Sequence, residues 1–228
     1  MVEFLFLDMD ETILDFKKAE AVAIRKTLRE VGMDPTDAVC ARYSQINHGY
    51  WERLERKEVT HEELMVGRFA DLFAEYGVTA DPAVTAPNYM ANLSLGYDYL
   101  PGAEEALASL AKKYKIYIAS NGVTDTQVKR IAGAGIGRYA TEIFISGVVG
   151  VNKPDKGFFD YCFARIPGFD PQKAIIVGDS LTSDILGGIN AGIRTCWVNP
   201  AHKTAPAHIQ PDYQIENLPQ LEALLESI

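Results

Sequence analysis

The sequence predicts an α/β fold: a parallel sheet with helices on both faces and an all-helical segment inserted after the first strand. Three observations predict it. From about residue 100 onward, short apolar runs alternate with segments of helical periodicity, the pattern of repeated strand–helix–strand units that builds parallel sheets. Phe4-Leu5-Phe6-Leu7 is apolar at every position, as a strand covered on both faces must be. Between these two regions, residues 16–95 carry only helical patterns.

Taken in order, the first strand ends at Asp8-Met9-Asp10-Glu11-Thr12. Ile24, Leu28 and Val31 share one helical face, and Gly32 supplies a stop. Residues 36–58 are compatible with a second helix, and Thr60-His61-Glu62-Glu63 is a capping box that opens a third. Met65, Phe69, Leu72, Phe73 and Tyr76 line that third helix before Gly77, and a weaker helical stretch runs over 81–95. Beyond Leu100-Pro101-Gly102 the predicted order is a helix over 103–114, a strand over 116–119, a helix over 124–134 and a strand near 143–145. A helix marked by Phe159, Cys162, Phe163 and Ile166 follows, then a strand over 174–177 and a helix beginning near Thr182. Strands over 195–198 and 213–215 and a helix over 218–227 complete the chain.

The 228 residues carry a net charge of -9, which argues against a nucleic-acid polymer or an anionic membrane as partner, since both require basic patches. Cys40, Cys162 and Cys196 are odd in number and widely spaced, so neither a disulfide framework nor a zinc knuckle is expected. No basic leader precedes Asp8 and no apolar run approaches a spanning helix. A reducing, cytoplasmic setting is expected.

Asp8 and Asp10 fall at the carboxyl end of a buried strand, the edge where open α/β sheets bind ligands. Alternate residues of an extended segment share a face, and two like charges about 4 Å apart cost roughly 4 kcal/mol at an effective dielectric near 20. A divalent cation between them, or a proton kept on one, makes the arrangement tolerable; an acidic solvated turn is the plainer reading. Parallel strands would bring three more polar groups to the same edge: Ser120 with Asn121, Lys153, and Asp179 with Asp184. The four aspartates and Lys153 approach charge balance only if a magnesium ion joins them, and magnesium favours such hard oxygen ligands.

Asp8-Met9-Asp10-Glu11-Thr12, Ser120-Asn121-Gly122, Lys153-Pro154-Asp155 and Gly178-Asp179 through Asp184 resemble the four ordered motifs of the haloacid dehalogenase (HAD) superfamily of phosphohydrolases. The resemblance implies a Rossmann-like catalytic core over 1–15 and 96–228 with an inserted helical cap domain over 16–95. It makes Asp8 the nucleophile and Asp10 the acid and base. Ser120, Asn121 and Lys153 become phosphate-binding residues. Mg2+ would be held by Asp8, the Asp10 backbone carbonyl and Asp179, with Asp184 behind them. Dehalogenases of the superfamily lack an acid at the position of Asp10, so Asp10 points to phosphoester chemistry.

The stretch from Gly178 through Gly192 to Trp197-Val198-Asn199-Pro200 is similar to the noncanonical pyrimidine 5′-nucleotidase subgroup. Two departures are Lys57, where glycine is common, and Gly147, where an acidic residue is common. The implied partner is a small phosphate monoester, a pyrimidine nucleoside monophosphate, hydrolysed by a monomer or homodimer. Asn47 and Trp51, four apart on one helical face, and Phe16 are candidate walls of the substrate pocket, although Trp51 could equally pack the helical core and Asn47 bond locally. A general sugar-phosphate or phosphoglycolate phosphatase, a phosphomutase and an inactive HAD-like binding module are the alternatives.

Overall fold

The apolar runs of the sequence become six strands of one wholly parallel sheet, in a computed structural model that describes residues 1–228. In chain order the first elements are β1 (Phe4–Leu7), α1 (Phe16–Glu30), α2 (Asp37–Glu55), α3 (His61–Tyr76), α4 (Pro82–Leu93) and α5 (Ala103–Leu110). Then come β2 (Lys115–Ser120), α6 (Thr124–Ala134), β3 (Glu142–Ile145), α7 (Ser146–Val149) and α8 (Lys156–Phe163). The chain closes with β4 (Ala174–Gly178), α9 (Leu186–Ala191), β5 (Arg194–Val198), β6 (Tyr213–Ile215) and α10 (Leu221–Glu226).

The strand order is β3-β2-β1-β4-β5-β6, so β1 lies centrally, with Leu7 opposite both Ile118 of β2 and Val177 of β4. The order reverses direction between β1 and β4, and in such sheets the crevice at that point is where ligands bind. Successive β1 side chains feed opposite layers. Leu5 and Leu7 join Leu107, Leu110, Ile131 and Leu221 on one face, while Phe4 and Phe6 join Phe158, Phe159 and Cys162 on the other. At about 1.5–3 kcal/mol for each fully buried large apolar side chain, this double cover fixes the strand that carries Asp8. All three cysteines are buried free thiols, and no helix is long and apolar enough to cross a membrane.

The chain divides into one unit of Met1–Asp15 with Asp98–Ile228 and a second of Phe16–Tyr97. The second boundary lies slightly beyond the expected 95/96. Asp15 donates from its N–H to Asp98 O and Leu100 to Ile13 O, each at 2.9 Å, so the chain from Asp98 is already tied to the sheet unit.

The second unit is all helical, α1 to α4. Thr60 caps α3 as its motif predicts, with its hydroxyl accepting from Glu63 N and the Glu63 carboxylate accepting from Thr60 N. Its core packs the rings of Tyr43, Phe69 and Tyr89 together in tilted and edge-on contacts with centroids 5.2–5.5 Å apart. Lys57 adopts φ 59°, a left-handed conformation that costs a side-chain-bearing residue and suits glycine.

Candidate active site

Four loops at the carboxyl ends of the strands converge on Lys153. Asp8 follows β1 directly, its N–H donating to Val177 O at 2.9 Å, which carries the ladder one residue past the strand. The Lys153 ammonium is 1% exposed and donates to Asp8 Oδ1 at 2.7 Å, to Asp184 Oδ1 at 2.6 Å and to the Ala119 carbonyl at the end of β2. All three of its protons are used.

Asn121 fixes the loop that brings Lys153 in. Its side-chain oxygen accepts from Lys153 N at 2.8 Å, and its amide donates to Lys153 O at 2.8 Å and to Ser183 Oγ at 3.0 Å. That side chain is a clamp, so what Asn121 can offer an anion is its backbone N–H.

Asp184 sits on a turn wider than the regular helix the sequence predicts near Thr182. Over Leu181–Ile185 the backbone takes a π-helical turn, with both Asp184 N and Ile185 N donating to Ser180 O. Ser180 N in turn donates to Asp184 Oδ2 at 3.1 Å. Gly178 is needed for this approach: a Cβ there would stand 2.1 Å from Asp184 Oδ2. Asp179 follows β4, and its carbonyl accepts from Trp197 Nε1 at 2.8 Å.

Carboxylate oxygens of Asp8, Asp179 and Asp184 all lie within 4.8 Å of one another. Burial raises the Asp8 pKa, Lys153 opposes it and Asp184 and Asp10 add to it, with a net rise to about 7. Asp179 is pushed well above the usual carboxylate range by burial first and then by Asp8, Asp184 and Glu11. Burial pulls Lys153 down, but Asp184 and Asp8 outweigh it and hold the ammonium charged. With all three carboxylates ionised against one ammonium, two negative charges would be unmatched, the charge of one divalent cation.

Asp10 stands outside that cluster with partners of its own. Its Oδ1 accepts from Arg130 Nη1 at 2.6 Å and its Oδ2 from Gln127 Nε2 at 2.9 Å. Gln127 Nε2 also donates to Ser120 Oγ at 2.7 Å. Sequence reasoning missed Gln127 and Arg130. The available signal was a pair of polar residues three apart, opening a helix directly after Ser120-Asn121-Gly122, on the side later lined by Ile131 and Ala134.

The three candidate pocket residues lie in the helical unit. Asn47 is 3% exposed, and its amide is engaged at both ends, donating to Glu20 Oε1 and accepting from Arg68 Nη1, each at 2.8 Å. Trp51 is half-buried and meets His61 edge-on with ring centroids 5.7 Å apart. Phe16, also half-buried, begins α1 and packs against the helical core.

Residues 2–192 match the family of haloacid dehalogenase-like hydrolases. The chain is 38% identical over 214 residues to the pyrimidine 5′-nucleotidase PynA of Streptococcus pneumoniae, covering 93% of this chain and 90% of that protein. It is 31% identical over 223 residues to the pyrimidine 5′-nucleotidase YjjG of Escherichia coli, covering 98% and 97%. A crystal structure of YfnB from Bacillus subtilis, a HAD-hydrolase by name and solved bound to magnesium, superposes with a TM-score of 0.95 at 39% identity, covering 98% of each chain. With its four motifs gathered at one sheet edge and this likeness along its whole length, the chain belongs to the haloacid dehalogenase-like hydrolases and is an enzyme of that family.

Proposed function

We propose that the chain is a magnesium-dependent phosphomonoesterase that hydrolyses pyrimidine nucleoside monophosphates through an aspartyl-phosphate on Asp8. One observation carries the reading: Lys153 binds Asp8 and Asp184 at 2.7 and 2.6 Å at the end of the sheet's central strand. A buried carboxylate is thereby oriented for attack and its charge held by a fixed ammonium.

The donor set fits magnesium. Three hard carboxylates within 4.8 Å of one another beside a single ammonium, with the pKa values of Asp8 and Asp179 raised, describe oxygen ligands short of a cation. Asp8, Asp179 and the Asp10 carbonyl would hold the ion. Asp184, with its oxygens on Lys153 and Ser180, orients the lysine. When bound, the ion supplies charge neutralisation that lets a phosphate dianion approach the acidic edge.

Asp8 attacks phosphorus while Asp10 gives its proton to the departing ester oxygen. Asp10 then takes a proton from the water that attacks the aspartyl-phosphate, releasing inorganic phosphate. Ser120 Oγ, the Asn121 N–H and Lys153 are the groups offered to the phosphate oxygens. Pyrimidine preference is supported by the named activity of PynA and YjjG. Within the helical unit, Phe16 and Trp51 are the candidate base-contacting residues, and Asn47 has one amide proton left to contribute.

A phosphate-release panel of nucleotides and sugar phosphates with Mg2+ tests the reading. The expected result is fastest release from pyrimidine monophosphates and none from Asp8→Asn. Hydrolysis of a sugar phosphate or phosphoglycolate with no release from any pyrimidine monophosphate would overturn the substrate assignment.

A further inference from the structure

The carboxyl group that must carry the proton in the proposed reaction is held from two sides. Arg130 Nη1 donates to one Asp10 oxygen at 2.6 Å and Gln127 Nε2 to the other at 2.9 Å. Arg130 Nη1 also donates to Gln127 Oε1 at 3.0 Å, which braces the pair. Arg130 and Gln127 are 1% and 2% exposed, so neither is a surface residue that happens to touch Asp10.

Two features bring them there. Gln127 and Arg130 lie three apart on α6 and therefore share a face. Gly122 clears the way: a Cβ at that position would stand 2.3 Å from Gln127 Cγ and 2.5 Å from its Nε2. A buried guanidinium is an expensive way to fill space, because burying an ion pair commonly stabilises less than apolar residues of similar volume. Here it is aimed at the carboxylate two residues after the nucleophile, while its neighbour Gln127 bridges that carboxylate to Ser120 Oγ at 2.7 Å.

We propose that Gln127 and Arg130 are positioning residues that hold the Asp10 carboxyl group in the orientation needed to pass its proton to the leaving ester oxygen and to recover one from water. The inference rests on the phosphatase reading above. In the first half-reaction, a bond forms between Asp8 Oδ and phosphorus, the bond from phosphorus to the ester oxygen breaks, and that oxygen leaves as an alcohol with the Asp10 proton. In the second, water oxygen bonds to phosphorus, its proton passes to Asp10, and the bond from phosphorus to Asp8 breaks to release phosphate. Each Asp10 oxygen spends one lone pair on Gln127 or Arg130 and keeps another for the proton, so the two donors fix the group without blocking it.

A residue with only a structural role would slow all substrates alike, whereas a residue that positions a proton donor matters in proportion to the leaving group's need for a proton. A nucleoside 5′-alkoxide needs one and p-nitrophenolate does not. The experiment is a first-turnover, rapid-quench measurement of alcohol release from a pyrimidine monophosphate and from p-nitrophenyl phosphate. Wild type, Gln127→Met, Arg130→Lys and Asp10→Asn are compared, with thermal melts alongside. Gln127→Met keeps the side-chain length and the pair of Arg130 with Asp10, so it decides the matter if Arg130→Lys does not fold.

The expected result is a loss of about 10- to 100-fold on the nucleotide and at most about threefold on the aryl ester, a shift in ratio of the same sign as that of Asp10→Asn. Equal losses on both esters, or no loss in folded variants, would overturn the inference while leaving an active wild type and its phosphatase assignment standing. A wild type inactive on both esters would overturn the phosphatase reading and this inference with it.

Discussion

Both units bury charged side chains, and they settle the charge in opposite ways. In the helical unit Arg68, 2% exposed, donates to Asn47, which donates to Glu20, which accepts from Ser44. One cation and one anion are joined through a neutral amide, and the guanidinium also lies over the Tyr89 ring at 4.8 Å. That chain of bonds balances its charges within the protein. At the sheet edge Lys153 pairs with Asp8 and Asp184, Asp179 stands beside them without an ion pair of its own, and with all three carboxylates ionised two negative charges would be left over. A balanced buried network maintains a fold, whereas an unbalanced one of hard oxygen donors asks for something the chain does not contain.

Removing Lys153 should break this contrast most severely. Lys153→Met leaves Asp8 and Asp184 facing each other in a buried space, with an expected stability loss of about 3–5 kcal/mol at neutral pH and a fall in turnover on the order of 10²–10³. Chemical denaturation with and without Mg2+ would measure the first, and part of the loss should return when Mg2+ is added. Unchanged stability would mean that the edge is not short of positive charge.

The helical network should respond differently. Asn47→Leu leaves Glu20 and Arg68 each short of a hydrogen bond, costing about 1–3 kcal/mol for each unsatisfied group, and Mg2+ should not alter that loss. A KM that rises for pyrimidine nucleotides with stability unchanged would instead make Asn47 a reader of the base.

The smallest effect is one of pH. Asp8 and Asp179 bind protons more tightly in the folded chain than in the unfolded one, so above about pH 4 the folded state holds more protons, with the window for Asp8 closing at about pH 7. Their contribution to stability is therefore greatest at the acid end of that window and is lost as pH rises through it, in the metal-free protein. The rise in melting temperature caused by Mg2+ should accordingly be larger at pH 8 than at pH 5.5, and a larger rise at the lower pH would contradict the charge argument.

Much of this was legible in the chain because it rests on short-range chemistry. Unbroken apolar runs mark strands such as Phe4–Leu7 and Ala174–Gly178, and the Thr60–Glu63 reciprocity marks the start of α3. The polar residues that end those strands could be placed at one edge because parallel strands leave no other choice. What stayed hidden depends on how distant residues meet. At the π-helical turn over Leu181–Ile185, Asp184 reaches back to Ser180 N past Gly178, which no periodicity announces. Gln127 and Arg130 share the face of Ile131 and Ala134 by spacing, but their partner appears only when α6 is laid against Asp10. The spacing of Asn47 from Trp51 left local bonding open, but not that its partners would be Glu20 and Arg68 on other helices.

On the proposed mechanism Asp8, alone among these carboxylates, accepts the phosphoryl group. Rapid acid quench of the wild-type enzyme during turnover, followed by peptide mass spectrometry, tests it directly. The expected result is a phosphoryl group on the peptide containing Asp8 and none on those containing Asp179 or Asp184. A phosphoryl group on another residue, or product formed at full rate with none on the protein, would contradict it.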